Sequence, residues 1–392
     1  MRTPRIWILS ALLASGCATA PVSRETASVP DLVALDAEVA RAMAATGAKG
    51  LAIAVIDHGD VVATRAYGAR NAKGEPLQTD TVMYGASITK TVFAYLVSQL
   101  ADEKRLDLGA SIARYLEKPL PEYPDERRYS TWSHLSGDER WRAITPRVLL
   151  THSSGFANFG FLEPDGRLRI HFAPGSRYAY SGDGLILLQF VLERGLGLDV
   201  GAELQKRVFD RFGMRNTSMV WRPDFANNLA DGWTLDGGVE PHDERGTVRA
   251  AGSMDTTLDD LARFAAALVR GEGLSPQAFT QMTSPRLPIT TRSQFPTLQD
   301  ELPPEQRRAD LAAGLGVVVF DGPQGRGFFK GGHNESTGNT LVCLPRGQRC
   351  VLILSNDVRA EPAFPRLVRF VLGEAGVPWD WEYGDKKFWD GR

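Results

Sequence analysis

Apolar residues return at helical spacing between 30 and 45, at Leu32, Leu35, Val39 and Met43. Intervals of three and four put them on one face, which predicts a surface helix ended by Gly47 and Gly50. Residues 50–56 then form an almost unbroken apolar run. With a turn at His58-Gly59-Asp60, they predict a strand answered by a second over 61–67. Over 87–103, Val92, Phe93, Leu96, Val97 and Leu100 cover most of a helical circumference. A helix apolar nearly all round belongs inside the core. The pattern breaks into short helices and loops over about 105–290, with a polar stretch at 117–143 that holds Trp132 and Trp141. Residues 254–269 open with Asp and Thr, as an N-cap does, and turn amphipathic. Apolar strands return at 313–320, 326–332, 339–344 and 350–355, and a last helix is expected over 361–375.

Strands at both chain ends with helices between them predict an α+β architecture. We expect one antiparallel sheet flanked by helices, plus a mainly helical subdomain inserted in the middle. The single unit would run over 31–380, its sheet part at about 31–84 and 300–380 and its helical part at about 85–299. The chain has 392 residues, 43% hydrophobic and 23% charged, which excludes a disordered chain, a fibrous repeat and a multi-span membrane protein. Its 45 basic and 47 acidic residues leave a net charge of −2. That balance offers nucleic acid no footprint. The six histidines show no metal-binding spacing.

The N-terminus reads MRTPRIWILSALLASGCATAP. Arg2 and Arg5 precede an apolar run too short for a bilayer, which needs about 20 residues, and the pattern fits an export signal over 1–16. Leu13-Ala14-Ser15-Gly16-Cys17 resembles the bacterial lipobox, although Ala14 replaces the more usual larger aliphatic residue. The resemblance implies cleavage before Cys17 and a lipid on its thiol. A plain secretory signal and an uncleaved anchor stay open. All three export the chain, and the first makes it a periplasmic, membrane-anchored lipoprotein with a tether over 17–30. Cys343 and Cys350 flank a turn near Arg346-Gly347 at equal distance. An exported hairpin permits a disulfide between them, while two reduced buried thiols are the alternative.

Ser87-Ile-Thr-Lys90 carries the sharpest local chemistry. At a helix start, Lys90 would lie one turn from Ser87 on the same face. A serine needs a base, and a lysine in an apolar setting gives up its proton more readily. Tyr180 sits in a Gly-flanked loop before an apolar helix, where a nearby cation would lower its pKa for proton work. Lys330-Gly331-Gly332-His333 ends a strand, with glycines for close approach and a lysine for a carboxylate. Each motif alone also fits a bland reading: an N-cap serine, a packing tyrosine, solvated lysines.

In this order the motifs resemble the serine β-lactamase and penicillin-binding protein superfamily. The likeness is to its class C β-lactamase, D-alanyl-D-alanine carboxypeptidase and esterase branch. LLTHSSG at 149–155 and AGSMDTTLDDLARF at 251–264 resemble further segments of that branch, so the likeness covers about 31–375. The resemblance implies a β-lactamase/transpeptidase-like fold and an acyl-enzyme on Ser87. Lys90 and Tyr180 would share the proton work. The N–H groups of Ser87 and His333 would form the oxyanion hole, and Lys330, Gly331 and Gly332 would help bind substrate. No metal or cofactor is implied.

Two positions depart from the family. Gly182 stands where typical β-lactamases have the asparagine of Tyr-x-Asn, and Gly331 replaces the threonine of Lys-Thr-Gly. Both weaken the case for efficient β-lactam turnover. Expected is a serine hydrolase of short esters, D-amino-acid peptides or β-lactams. The competing expectation is a catalytically silent envelope protein that binds penicillin or peptidoglycan. His152 is expected to be structural and Glu335 a solvated turn carboxylate.

Overall fold

The computed structural model describes residues 31–391. The expected signal segment, the lipid site at Cys17 and the tether lie outside the described residues. Helix α1 (Leu32–Thr46) opens with Asp31 accepting from the Val33 N–H at 3.0 Å and closes at Gly47, whose φ of 74° is left-handed. Strands β1 (Gly50–Asp57) and β2 (Asp60–Gly68) form the expected hairpin. Then comes α2 (Ile88–Asp102), buried from Ile88 to Leu100. Helices α3 (Gly182–Phe190) and α4 (Leu258–Val269) lie in the helical middle. The C-terminal part adds β3 (Leu287–Pro288), β4 (Leu311–Ala313), β5 (Val318–Gly322), β6 (Gly325–His333), β7 (Gly338–Leu344) and β8 (Arg349–Ser355). Helices α5 (Phe364–Leu372) and α6 (Trp379–Tyr383) follow.

These strands make one eight-stranded antiparallel sheet in the order β2-β1-β8-β7-β6-β5-β4-β3. β1 pairs with β8, with Ile53 opposite Ile353, so the two chain ends join in the sheet. Side chains alternate across a strand, and here they feed two cores. Ala52, Ala54, Phe328 and Leu352 face α2 and the helical middle. Leu51, Ile53, Phe329 and Ile353 face α1, α5 and Trp381 of α6. A sheet covered on both sides explains why β1 reads as a continuous apolar run.

Three element boundaries differ from the sequence expectation. The strand expected over 313–320 is two strands, because the chain leaves the sheet at Gly314–Val317 to hold α2. There Thr91 Oγ1 donates to Gly316 O at 2.8 Å, and a Cβ on Gly316 would sit 2.3 Å from Ala94 Cβ. The helix expected from 254 begins at Leu258, because Asp255–Thr256 pairs with Met83–Tyr84 as a small ladder. The helix expected over 361–375 is a short 3-10 turn followed by α5, which ends at Leu372 before Gly373.

Candidate active site

Ser87 occupies the N-cap of α2, so its hydroxyl lies at the positive end of the helix dipole. Ala86 before it has a φ of 45°, a left-handed conformation that a residue with a Cβ adopts only under external constraint. The Thr89 hydroxyl donates to Ala86 O at 2.6 Å and helps fix this turn. Lys90, one turn on, is 2% exposed, and its Nζ lies 2.9 Å from Ser87 Oγ. Nζ also donates to the carbonyl of Ala251. Burial, reinforced by the Lys330 cation, holds the Lys90 amine well below the usual lysine range.

Tyr180 comes from the loop before α3 and donates its hydroxyl to Ser87 Oγ at 2.8 Å. Lys90 and Lys330 lie 5.0 and 5.1 Å from its ring centroid. Those cations were expected to lower the tyrosine's pKa. Burial wins instead and raises it, so the phenol keeps its proton. His152, buried at a φ of 52°, places its ring 4.5 Å from the Tyr180 ring, and its Nδ1 accepts from the Ser181 N–H at 3.2 Å. Burial pushes its pKa well down, and a neutral imidazole is what that hydrogen bond requires. His152 therefore positions the tyrosine loop.

Lys330 on β6 is buried, and its pKa is lowered to about 8 by burial, with the Glu382 carboxylate opposing the shift. Its Nζ donates to Gly331 O at 2.6 Å. A Cβ on Gly332 would lie 3.0 Å from the backbone nitrogens of both Ser87 and Ile88. The glycine thus leaves open the space beside the Ser87 N–H. His333, next along β6, has Nδ1 3.3 Å from Glu361 Oε1.

Ser87, Lys90, Tyr180, Lys330, Gly331, Gly332 and His333 all line one cleft of about 1140 Å³. Glu126, Arg127 and Arg128 line it too, so the polar stretch at 117–143 forms part of its wall. Glu335 is exposed on the turn after β6. Among the described residues, no group of three or more His, Cys, Asp or Glu side chains could hold a metal ion.

Sequence reasoning missed three lining residues. Phe159 fills the space above Gly182, where a Cβ would meet its ring at 2.4 Å. Asn158 accepts from the Gly182 N–H at 3.0 Å through Oδ1, placing a side-chain amide beside that glycine. Glu382 of α6 stands against Gly331, where a Cβ would meet its Oε1 at 2.0 Å. The signal for Phe159 and Glu382 was the pair of glycines at motif positions that usually carry side chains. Cys343 and Cys350, opposite one another on β7 and β8, are disulfide-bonded with their Cα atoms 4.1 Å apart.

Sequence and structure comparisons agree with one another. The Beta-lactamase family model matches residues 35–374. Esterase EstB of Burkholderia gladioli is 29% identical over 200 residues, which are 47% of this chain and 51% of that protein. Lovastatin esterase of Penicillium rubens is 28% identical over 200 residues, 44% of this chain and 49% of that protein. The matches thus span about half the length of these relatives. The solved D-alanine carboxypeptidase AmpC of Burkholderia cenocepacia has the same fold, with a TM-score of 0.68 at 19% identity, covering 88% of this chain and 99% of that one.

Proposed function

Since the chain belongs to the Beta-lactamase family, we propose that it is a serine hydrolase that cleaves esters through an acyl-enzyme on Ser87. The observation that carries this is the double approach to one oxygen: Ser87 Oγ lies 2.8 Å from the Tyr180 hydroxyl and 2.9 Å from Lys90 Nζ. Desolvation leaves Lys90 able to be neutral, so its lone pair takes the Ser87 proton as Oγ attacks the substrate carbonyl. The oxyanion gathers donors from the N–H groups of Ser87 and His333. Tyr180, still protonated, hands its proton to the leaving oxygen and recovers one from Lys90. Water then attacks the acyl-enzyme, and the same groups return the serine.

Esters are preferred over β-lactams because Phe159 and Glu382 occupy the space beside the two departing motif positions. Two matched relatives bear esterase names, which supports the same reading. The Cys343–Cys350 disulfide suits an exported protein, and we propose a periplasmic location with Cys17 as a lipid anchor. Labelling with a fluorophosphonate tests the chemistry. The wild type is expected to label and Ser87→Ala not to. Equal labelling of both, or none of the wild type, would overturn it. Metabolic labelling with an alkyne fatty acid tests the anchor, which fails if Cys17→Ala labels as the wild type does.

A further inference from the structure

Gly331 and Glu382 compete for one space. A Cβ at 331 would stand 2.0 Å from Glu382 Oε1, so only glycine there admits the carboxylate. Glu382 is 4% exposed, and Gln294 donates to its Oε2 at 2.9 Å. Its Oε1 is buried with no hydrogen-bond partner among the described residues. An unpaired buried carboxylate oxygen is costly, and a group kept at such cost asks for a role. Glu382 lies in α6, beyond residue 374 where the family match ends. It lines the same cleft as Ser87 and Lys330. Side chains alternate across a strand, so the Gly331 position faces Glu382 while the next one, Gly332, faces the Ser87 N–H. Glu382 thus reaches the cleft from the other side of β6, bordering it at the strand's edge with Lys330 and Gly331.

We propose that Glu382 is a specificity-determining residue that turns the cleft against substrates carrying a carboxylate next to the scissile bond and favours uncharged ones. The proposal rests on the acyl-enzyme reading of Ser87. Lys330 is the cation at this end of the cleft, and its charge is already opposed by Glu382, while Nζ donates to Gly331 O. Burial raises the Glu382 pKa, and a carboxylate brought beside it would raise it further, so an incoming carboxylate finds no cation at Oε1 to pair with. A carboxamide in its place brings an N–H to the oxygen that lacks one. Such an unmatched charge is an effective way to exclude a substrate. Of the other arginines that line the cleft, Arg245 is 3.1 Å from Asp255, Arg128 is 3.4 Å from Glu126, and Arg249 donates to Arg127 O at 2.9 Å. Arg127 is exposed at the rim, so the test places its charge beside the reacting bond rather than farther out.

The test compares acetyl-D-alanyl-D-lactate with its primary amide, acetyl-D-alanyl-D-lactamide, which share one ester bond. The wild-type chain is expected to hydrolyse the amide form with kcat/KM at least about tenfold higher. Glu382→Gln, which keeps the shape and removes the charge, is expected to bring the two within about threefold. A wild-type preference below about threefold, or one for the carboxylate form, overturns the proposal. So does an unchanged preference in Glu382→Gln, or a labelled enzyme that turns over neither compound. If Glu382→Gln fails to fold, the wild-type ratio decides alone. Fluorophosphonate labelling separates the two failures: no label removes the acyl-enzyme reading and this proposal with it, while a label without discrimination removes only the proposal.

Discussion

Tyr180 donates its hydroxyl proton to Ser87 Oγ across 2.8 Å, and burial raises the pKa of that phenol. Tyr180 is thus an acid in the resting site, and the amine of Lys90 is the group able to accept the serine proton. Lys90→Met, close in length and uncharged, is expected to slow acylation of Ser87 by about 10²–10⁴-fold. Tyr180→Phe is expected to lower ester kcat by a similar factor while still labelling with fluorophosphonate, whose leaving fluoride needs less help from an acid. Rates of labelling and turnover in the two variants check this. Loss of labelling in Tyr180→Phe alone would exchange the roles.

The two buried lysines predict a bell-shaped pH dependence. Lys90 acts when neutral, so kcat/KM falls as pH drops through its lowered pKa. Lys330 supports the site when charged. With its pKa lowered to about 8, that charge is present below about pH 8 and lost above it. A falling alkaline limb near pH 8 is therefore expected for ester hydrolysis. Arginine stays protonated over this range, so Lys330→Arg should move the limb upward by at least about one pH unit in whatever activity remains. A limb that stays near 8 in Lys330→Arg belongs to another group.

The sheet, the buried helix and the cleft-lining motifs were legible because each writes a local pattern. Continuous apolar runs marked β1 and β8, a turn at His58-Gly59-Asp60 marked the return strand β2, and the all-round apolar face marked α2. Ser87 and Lys90 were legible because one helical turn fixes their relation before any tertiary contact forms. What stayed hidden depends on contacts between distant segments. Nothing near Gly331 announces Glu382, which comes from a helix 51 positions later. The raised pKa of Tyr180 is hidden in the sequence for a similar reason. The sequence supplies nearby cations but not the desolvation that overrides them. The break at Gly314–Val317 was hidden because its cause is the docking of Gly316 against Ala94.

Cys343 and Cys350 are seven positions apart and directly opposite in the β7–β8 ladder. Closing so short a loop restrains the unfolded chain modestly, by about 2–3 kcal/mol on the loop-entropy account. Cys343→Ala/Cys350→Ala is expected to lower unfolding free energy by that amount in urea while leaving ester turnover within about twofold, since neither cysteine lines the cleft. Intact-mass analysis after alkylation should find neither thiol free in protein produced in an oxidising compartment. A free thiol at Cys343 would refute the pairing in the native protein.

Phe159 and Gly182 make the last prediction the most specific to this chain. A Cβ at residue 182 would lie 2.4 Å from the Phe159 ring, and that ring stacks on exposed Phe161 with centroids 5.2 Å apart. Gly182→Asn, which restores the residue usual in the family's second motif, must therefore push the ring outward or strain the start of α3. Overpacking of this kind costs about 1–3 kcal/mol. The single variant is expected to lose that much stability and to lower ester kcat/KM, because Tyr180 lies two residues away. Phe159→Ala empties the same space, so the double variant Phe159→Ala/Gly182→Asn should recover most of the lost stability. The coupling is read from a double-mutant cycle by urea unfolding. Strict additivity would mean that the ring moves aside without cost and that Gly182 is not held by Phe159.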